Sequence, residues 1–172
     1  MTNLTQGFLR EAFTYNEDMG RLVFNKKAGS SAEVKRWNTR YAGALAGSKN
    51  NQGYLHVKLF GKKHKLHRLI FLYHHGWLPK VVDHKDGDKL NCRIDNLRPA
   101  TTGENNRNSK VSSCNTSGVK GVSWHKQHGK WYASIRVNKR SIFLGLFLEK
   151  AEAEVAVRAA RSKHHGEFAN HG

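Results

Sequence analysis

The chain has 172 residues, with 30 Lys and Arg against 13 Asp and Glu and a formal charge of +17 near neutral pH. That length holds one ordinary domain or two small ones with little core each, and that charge selects a polyanion, foremost nucleic acid, as partner. No run approaches the roughly 18 apolar residues of a membrane span, the first residues lack a secretory layout, and Cys92 and Cys114 fit neither a disulfide framework nor a sulfur-rich zinc site.

In chain order, the N-terminal third reads as short strands and turns. FTYNEDMGRLVFNKK sets two apolar runs about a Gly-containing loop, and GYLHVKLFGKKHKLHRL alternates Leu55, Val57 and Leu59 with His56, Lys58 and Phe60 before a turn at Gly61. Leu66, Leu69, Ile70 and Tyr73 then fall at helical spacing, and Gly76 followed by Pro79 closes that helix. Val81 and Val82 lead into a polar knot, and Thr101 with Glu104 makes a capping-box start for a helix carrying Asn105 and Asn108. Residues 109–118 are small, polar and aperiodic, which marks a linker. Beyond them VKGVSWHK, KWYASIRVN and RSIFLGLF are strand-like, and EKAEAEVAVRAARSKHHG is an Ala-rich helix ending at Gly166. The expected fold is α+β, with N-terminal strands and a strand–loop–strand–helix unit in a domain at 1–108, then a three-stranded antiparallel sheet packed on one helix in a domain at 119–172. From Asn115 onward, 10 Lys and Arg against 4 Asp and Glu leave +6, and the rest of the chain carries +11, so both halves suit a phosphate backbone.

Asp83 and His84 stand together at the end of an apolar strand. In such a place a carboxylate can hold a hard cation with an amide oxygen, water and phosphate oxygens, while a neutral imidazole takes a proton from water as it attacks phosphorus. Asp86 and Asp88 around Gly87 do not meet the spacing of a calcium loop.

V-D-H-x-D-G-x-x-x-N, then D-N-L-R, then T-x-x-x-N-x-x-N, with LHRL upstream at Leu66–Leu69, resembles the HNH endonuclease family, in the branch of phage and intron homing nucleases whose last histidine is asparagine. The matching residues are Asp83, His84, Asp86, Gly87, Asn91, Asn96, Leu97, Arg98, Thr101, Asn105 and Asn108. The resemblance implies a ββα-metal unit with His84 as general base, Asp83 and Asn105 on one Mg²⁺ (or Mn²⁺), and Asn96 bracing the hairpin loop and orienting His84. Asn106 and Asn108 compete with Asn105, and the family spacing favours Asn105. Relatives with cysteine pairs bind zinc there; none is expected here. Lys62, Lys63, Lys65 and Arg68 form a basic cluster ahead of this segment, suited to phosphates. Arg98 and Arg107 join the expected DNA contacts.

S-G-V-K-G-V, K-W-Y-A-S-I-R, L-G-x-F, an alternating Glu/Ala helix start and a final G-x-x-A-N resemble the ethylene-response-factor (APETALA-two) DNA-binding domain. That resemblance implies a sheet laid in the major groove. Alternation puts Trp131, Ala133, Ile135 and Val137 on the core face, against Ala153, Ala156 and Ala160, with Trp124 also inward. Arg136 falls on the open face with Lys120, Ser123, His125, Ser134 and Phe143, and Arg can read guanine bidentately.

The expectation is a metal-dependent, homing-like endonuclease that nicks or cuts double-stranded DNA in the cytoplasm of a bacterial or phage-infected cell, with the oligomeric state left open and a monomer favoured. One site per chain makes nicking the simpler outcome. The rivals are a DNA-binding regulator with a vestigial nuclease fold and an RNA-binding protein.

Overall fold

The computed structural model describes residues 4–172. The chain divides after Thr101 into two compact units.

In the first unit, α1 (Gln6–Ala12) is capped by Thr5, whose Oγ1 accepts from Phe8 N at 3.2 Å. It leads into an antiparallel hairpin of β1 (Phe13–Asn16) and β2 (Arg21–Phe24). Next comes α2 (Ala32–Tyr41), capped by Ser31 Oγ on Val34 N at 3.2 Å. A three-stranded antiparallel sheet follows in the order β3 (Ser48–Lys49), β4 (Leu55–Leu59), β5 (Lys62–Lys65). Alternate residues Leu55 and Val57 of β4 are buried, while Lys58 is exposed. The chain then enters α3 (Leu66–His75), which ends at Gly76 in the left-handed region (φ 76°), where a side chain would be strained. Last is the hairpin of β6 (Val81–His84) and β7 (Leu97–Ala100), with a 3₁₀ turn at Ile94–Asn96 before β7.

α3 is the hub of this unit. Leu66, Leu69, Ile70 and Phe71 are buried with Leu9 of α1, Phe13 and Leu22 of the first hairpin, and Val82 and Leu97 of the second. Burial of each such side chain contributes about 1.5–3 kcal/mol, so the hairpin bearing Asp83 and His84 is anchored from beneath.

The N-terminal third is more helical than its strand-and-turn pattern predicts. α1 spans only 7 residues, and α2 buries no residue fully, so neither writes a strong apolar stripe. The cues present in the sequence are their caps, Thr5 and Ser31.

The second unit begins with α4 (Thr102–Arg107) directly after Thr101. Its sheet is antiparallel in the order β10 (Arg140–Phe147), β9 (Lys130–Val137), β8 (Val122–His125), and α5 (Lys150–His165) packs against it. This is the expected three-stranded sheet on one helix. Asn138 and Lys139, at φ 49° and 68°, make the tight turn between β9 and β10.

Val119, Val122 and Ala133 meet Ala153 and Val157 in the core. The buried stripe of α5 is Ala153, Val157 and Arg161, while the anticipated Ala156 and Ala160 are only half-buried. Ala133 and Ile135 are buried as expected, but Trp124 is 49 % exposed: it packs edge-on against its strand partner Trp131, and it is Trp131 that lies against the core. At Gly121 the chain passes so close to β9 that a Cβ would sit 2.3 Å from Ser134 O.

Candidate functional site

The β6–β7 register sets Asp83 opposite Arg98 and His84 opposite Leu97. Both charged side chains of the first pair are buried, and Arg98 Nε donates to Asp83 Oδ2 at 2.9 Å. Arg98 is therefore no surface phosphate contact: its guanidinium compensates a buried carboxylate that would otherwise be costly. The signal was in the sequence, since a hairpin that puts His84 against Leu97 puts Asp83 against Arg98.

The loop between the strands is held by side chains that bond its own backbone. Asn96 Nδ2 donates to Asp86 Oδ1 (3.0 Å) and Asn91 O (2.8 Å), and Asn96 Oδ1 accepts from Asp86 N at 3.1 Å. Asp86 also accepts from Asp88 N (2.8 Å) and Asn91 Nδ2 (2.7 Å). These bonds hold the Asp86 carboxyl below its ordinary range against the opposing effect of burial. The acids of the polar knot thus serve the loop, and Gly87 (φ 67°) supplies its turn.

His84 is buried at the end of β6. Its Nε2 lies 4.0 Å from Cys92 Sγ, and its ring meets His67 edge-on at 4.6 Å and Tyr54 at 6.3 Å. Burial lowers the imidazole's pKa, offset in part by Asp86 and Asp83, so the ring is neutral near pH 7 and able to accept a proton. His67 is pushed down to about 3, by burial first and then by His84. Cys92 is pushed up to about 12 by burial and is a thiol rather than a thiolate.

Tyr54, His67 and Cys92 were not singled out from the sequence. His67 could have been: it sits three residues before Ile70 on the inward face of α3. Tyr54 and Cys92 reach His84 only through tertiary packing.

Asp83 supplies a hard oxygen donor. An ionised carboxylate has about four lone-pair sites, so the Arg98 bond is compatible with a cation on the same group. Asn105 lies half-buried on α4, in the second unit. Among the described residues no three His, Cys, Asp or Glu converge as a metal cluster. A single carboxylate such as Asp83 is a smaller donor set than that, and one Mg²⁺ accepts, with water and phosphate oxygens completing its shell. Asn108 is buried, and its backbone O and Oδ1 accept from Asn170 Nδ2 at 2.8 and 3.2 Å, which ties α4 to the chain's last residues.

Of the basic cluster, Lys62 and Lys63 are exposed on β5, Lys65 is half-buried, and Arg68 donates to Lys80 O at 3.1 Å. Arg107 Nη2 reaches Asn138 Oδ1 at 3.5 Å. Lys120 precedes β8 instead of lying on it. Its ammonium donates to the carbonyls of Arg107 (3.2 Å), Asn170 (2.9 Å) and Ser109, and burial with Arg161 nearby lowers its pKa to about 8. Lys120 is a brace within the second unit and not part of the open sheet face.

On that face Ser123 pairs with Tyr132, Ser134 with Phe143, and Arg136 with Ser141. Arg136 and Phe143 are exposed, and Phe143 stacks on Tyr132 at 5.3 Å, close to His125 at 6.3 Å from the same ring.

Residues 64–107 match the HNH endonuclease family. Over 115 residues the chain is 36 % identical to Protein 3.8 of Escherichia phage T7, an alignment covering 65 % of this chain and 93 % of that protein. No solved structure matches. No helix among the described residues is long and apolar enough to cross a membrane.

Proposed function

The chain belongs to the family of phage T7 Protein 3.8 and carries an HNH endonuclease segment at residues 64–107, and from that premise we propose that it is a metal-dependent DNA endonuclease with His84 as its general base. The observation that carries the reading is a buried, neutral His84 directly after a buried Asp83, on a braced hairpin inside the matched segment. His84 takes a proton from water as the water oxygen attacks phosphorus; the bond from phosphorus to the leaving oxygen breaks, and that oxygen is protonated. Asp83 and Asn105 are the residues that would hold Mg²⁺ or Mn²⁺. When bound, such an ion stabilises the charge growing on the leaving oxygen. Asn96 fixes the loop and, through it, the direction His84 faces. Arg98 compensates the Asp83 charge and holds the carboxylate in place.

Lys62, Lys63 and Arg107 add phosphate contacts. The open face of the second sheet, with Ser123, His125, Ser134, Arg136 and Phe143, takes duplex DNA in the way the ethylene-response-factor resemblance implies; Arg136 supplies discrimination of about 1–3 kcal/mol if it meets guanine. The expected setting is the cytoplasm of an infected bacterial cell, with a monomer that nicks one strand per event, in the manner of a homing endonuclease.

The test is supercoiled plasmid with Mg²⁺ or Mn²⁺, beside His84→Ala. Wild type should yield open circles, and the variant should be slower by about 10²- to 10⁴-fold. No cleavage by wild type across metals and pH would leave a DNA-binding regulator with a nuclease fold as the better description.

A further inference from the structure

Tyr54 sits between the basic strand and the reactive hairpin, and two ammonium groups are gathered on its ring. Lys65 Nζ lies 4.0 Å from the ring centroid and Lys89 Nζ 4.9 Å. The same ring is 6.3 Å from His84 and 5.5 Å from His67. Among the described residues neither lysine has a carboxylate within ion-pair distance. The neighbouring acid of the loop is committed elsewhere: Asp86 accepts from Asp88 N, Asn91 and Asn96.

Bringing like charges together and drawing one from water is unfavourable unless something compensates. The electron-rich ring face offsets part of that cost. The rest remains, and it registers in a Lys65 pKa lowered by burial, then by Arg68 and Lys89. An ammonium carries three N–H donors, and Lys89 uses one on Gln52 O at 3.1 Å. Donors are thus left on both lysines for an anion held close to His84.

We propose that Lys65 and Lys89, presented by Tyr54, form a phosphate-binding site beside His84 that takes one backbone phosphate of the nucleic acid. The assignment rests on the nuclease reading for the identity of its ligand, while the site itself is set by the ring and its two cations. It involves two residues, Tyr54 and Lys89, that no motif in the sequence marks. Tyr54 acts as a positioning residue: it fixes where the ammonium groups sit and makes no bond to phosphate.

The experiment uses the full chain carrying His84→Ala in EDTA, so that nothing is cut, and a short fluorescein-labelled duplex followed by anisotropy over a range of salt. Each neutralised phosphate adds about 0.9 to the slope of log affinity against log salt. If both lysines share one phosphate, Lys65→Gln or Lys89→Gln alone should lower affinity but leave the slope nearly unchanged, because the other ammonium still neutralises that phosphate, and the double variant should make the slope shallower by about 0.9. Tyr54→Phe should bind as the parent, and Tyr54→Leu should lose affinity with unchanged thermal midpoint. Unchanged affinity and slope in the double variant overturn the site. Additive slope losses overturn the shared phosphate. With His84 restored, a loss in kcat identifies the reacting phosphate and a loss confined to KM a neighbouring one. A wild type that binds as described and cuts nothing removes the nuclease reading and leaves this site standing.

Discussion

Arg98 and Asp83 face each other across the β6–β7 hairpin, bonded at 2.9 Å with both side chains buried. Removing one partner of such a pair is expected to cost about 3–5 kcal/mol, because the other charge stays buried. Arg98→Leu should therefore lower the denaturant midpoint of the first unit strongly. An Arg98 that served DNA phosphates would instead change salt-dependent binding and leave the midpoint alone.

His67 carries a pH dependence of the same sense as that of a paired carboxylate, but it sets in at the higher pH of an imidazole. Its folded pKa of about 3 lies below the ordinary 6.5, so below that ordinary value the unfolded chain binds the extra proton. Stability is full above about pH 6.5 and declines as pH falls toward 3. At about 1.4 kcal/mol per pH unit, His67 alone should remove about 3 kcal/mol between pH 6.5 and 4. Thermal melts of wild type and His67→Phe across that window check this: the variant's curve should be flatter.

Asn96 makes three bonds to the hairpin loop. Asn96→Ala should cost about 1–3 kcal/mol in stability, since it leaves loop groups without these partners. Amide exchange over residues 85–91 should accelerate. Asn96→Asp, which keeps the acceptor, should protect Asp86 N better than alanine does but set two carboxylates together.

Gly121 tests the second unit. A Cβ there would sit 2.3 Å from Ser134 O on a backbone at φ 76°, so Gly121→Ala should destabilise the β8–β9 sheet by more than about 2 kcal/mol. Gly129, with nothing within 4 Å of its Cβ position but φ 58°, is the comparison and should cost about 1 kcal/mol.

The two thiols should separate cleanly. Cys114 is exposed, while Cys92 is 1 % exposed with its pKa pushed up to about 12. A thiol reagent should modify one cysteine quickly in the folded protein and the second only on unfolding.

Where an element has alternation or a full apolar stripe, the sequence was legible. Leu55 and Val57 announced β4, Leu66, Leu69 and Ile70 announced α3, and Ala133 and Ile135 announced the inner face of β9, all of them buried as read. α2 was not, because it buries nothing fully and so lacks the pattern from which helices are recognised. In the site, residue types at fixed spacing marked Asp83 and His84, but polarity alone does not tell a surface cation from a buried one. Arg98 and Lys120 were both read as DNA contacts, and only packing shows one committed to a carboxylate and the other to backbone carbonyls. The phase of Trp124 predicts core, but phase gives the face and not how fully a neighbour covers it.

The loop from Lys85 to Asn96 satisfies itself, through Asn96, Asp86 and Asn91, before any ligand arrives. A hairpin wired in this way is preorganised: little conformational entropy is left to be surrendered when a ligand docks. Its loop geometry should accordingly be the same in the resting protein as in the engaged complex.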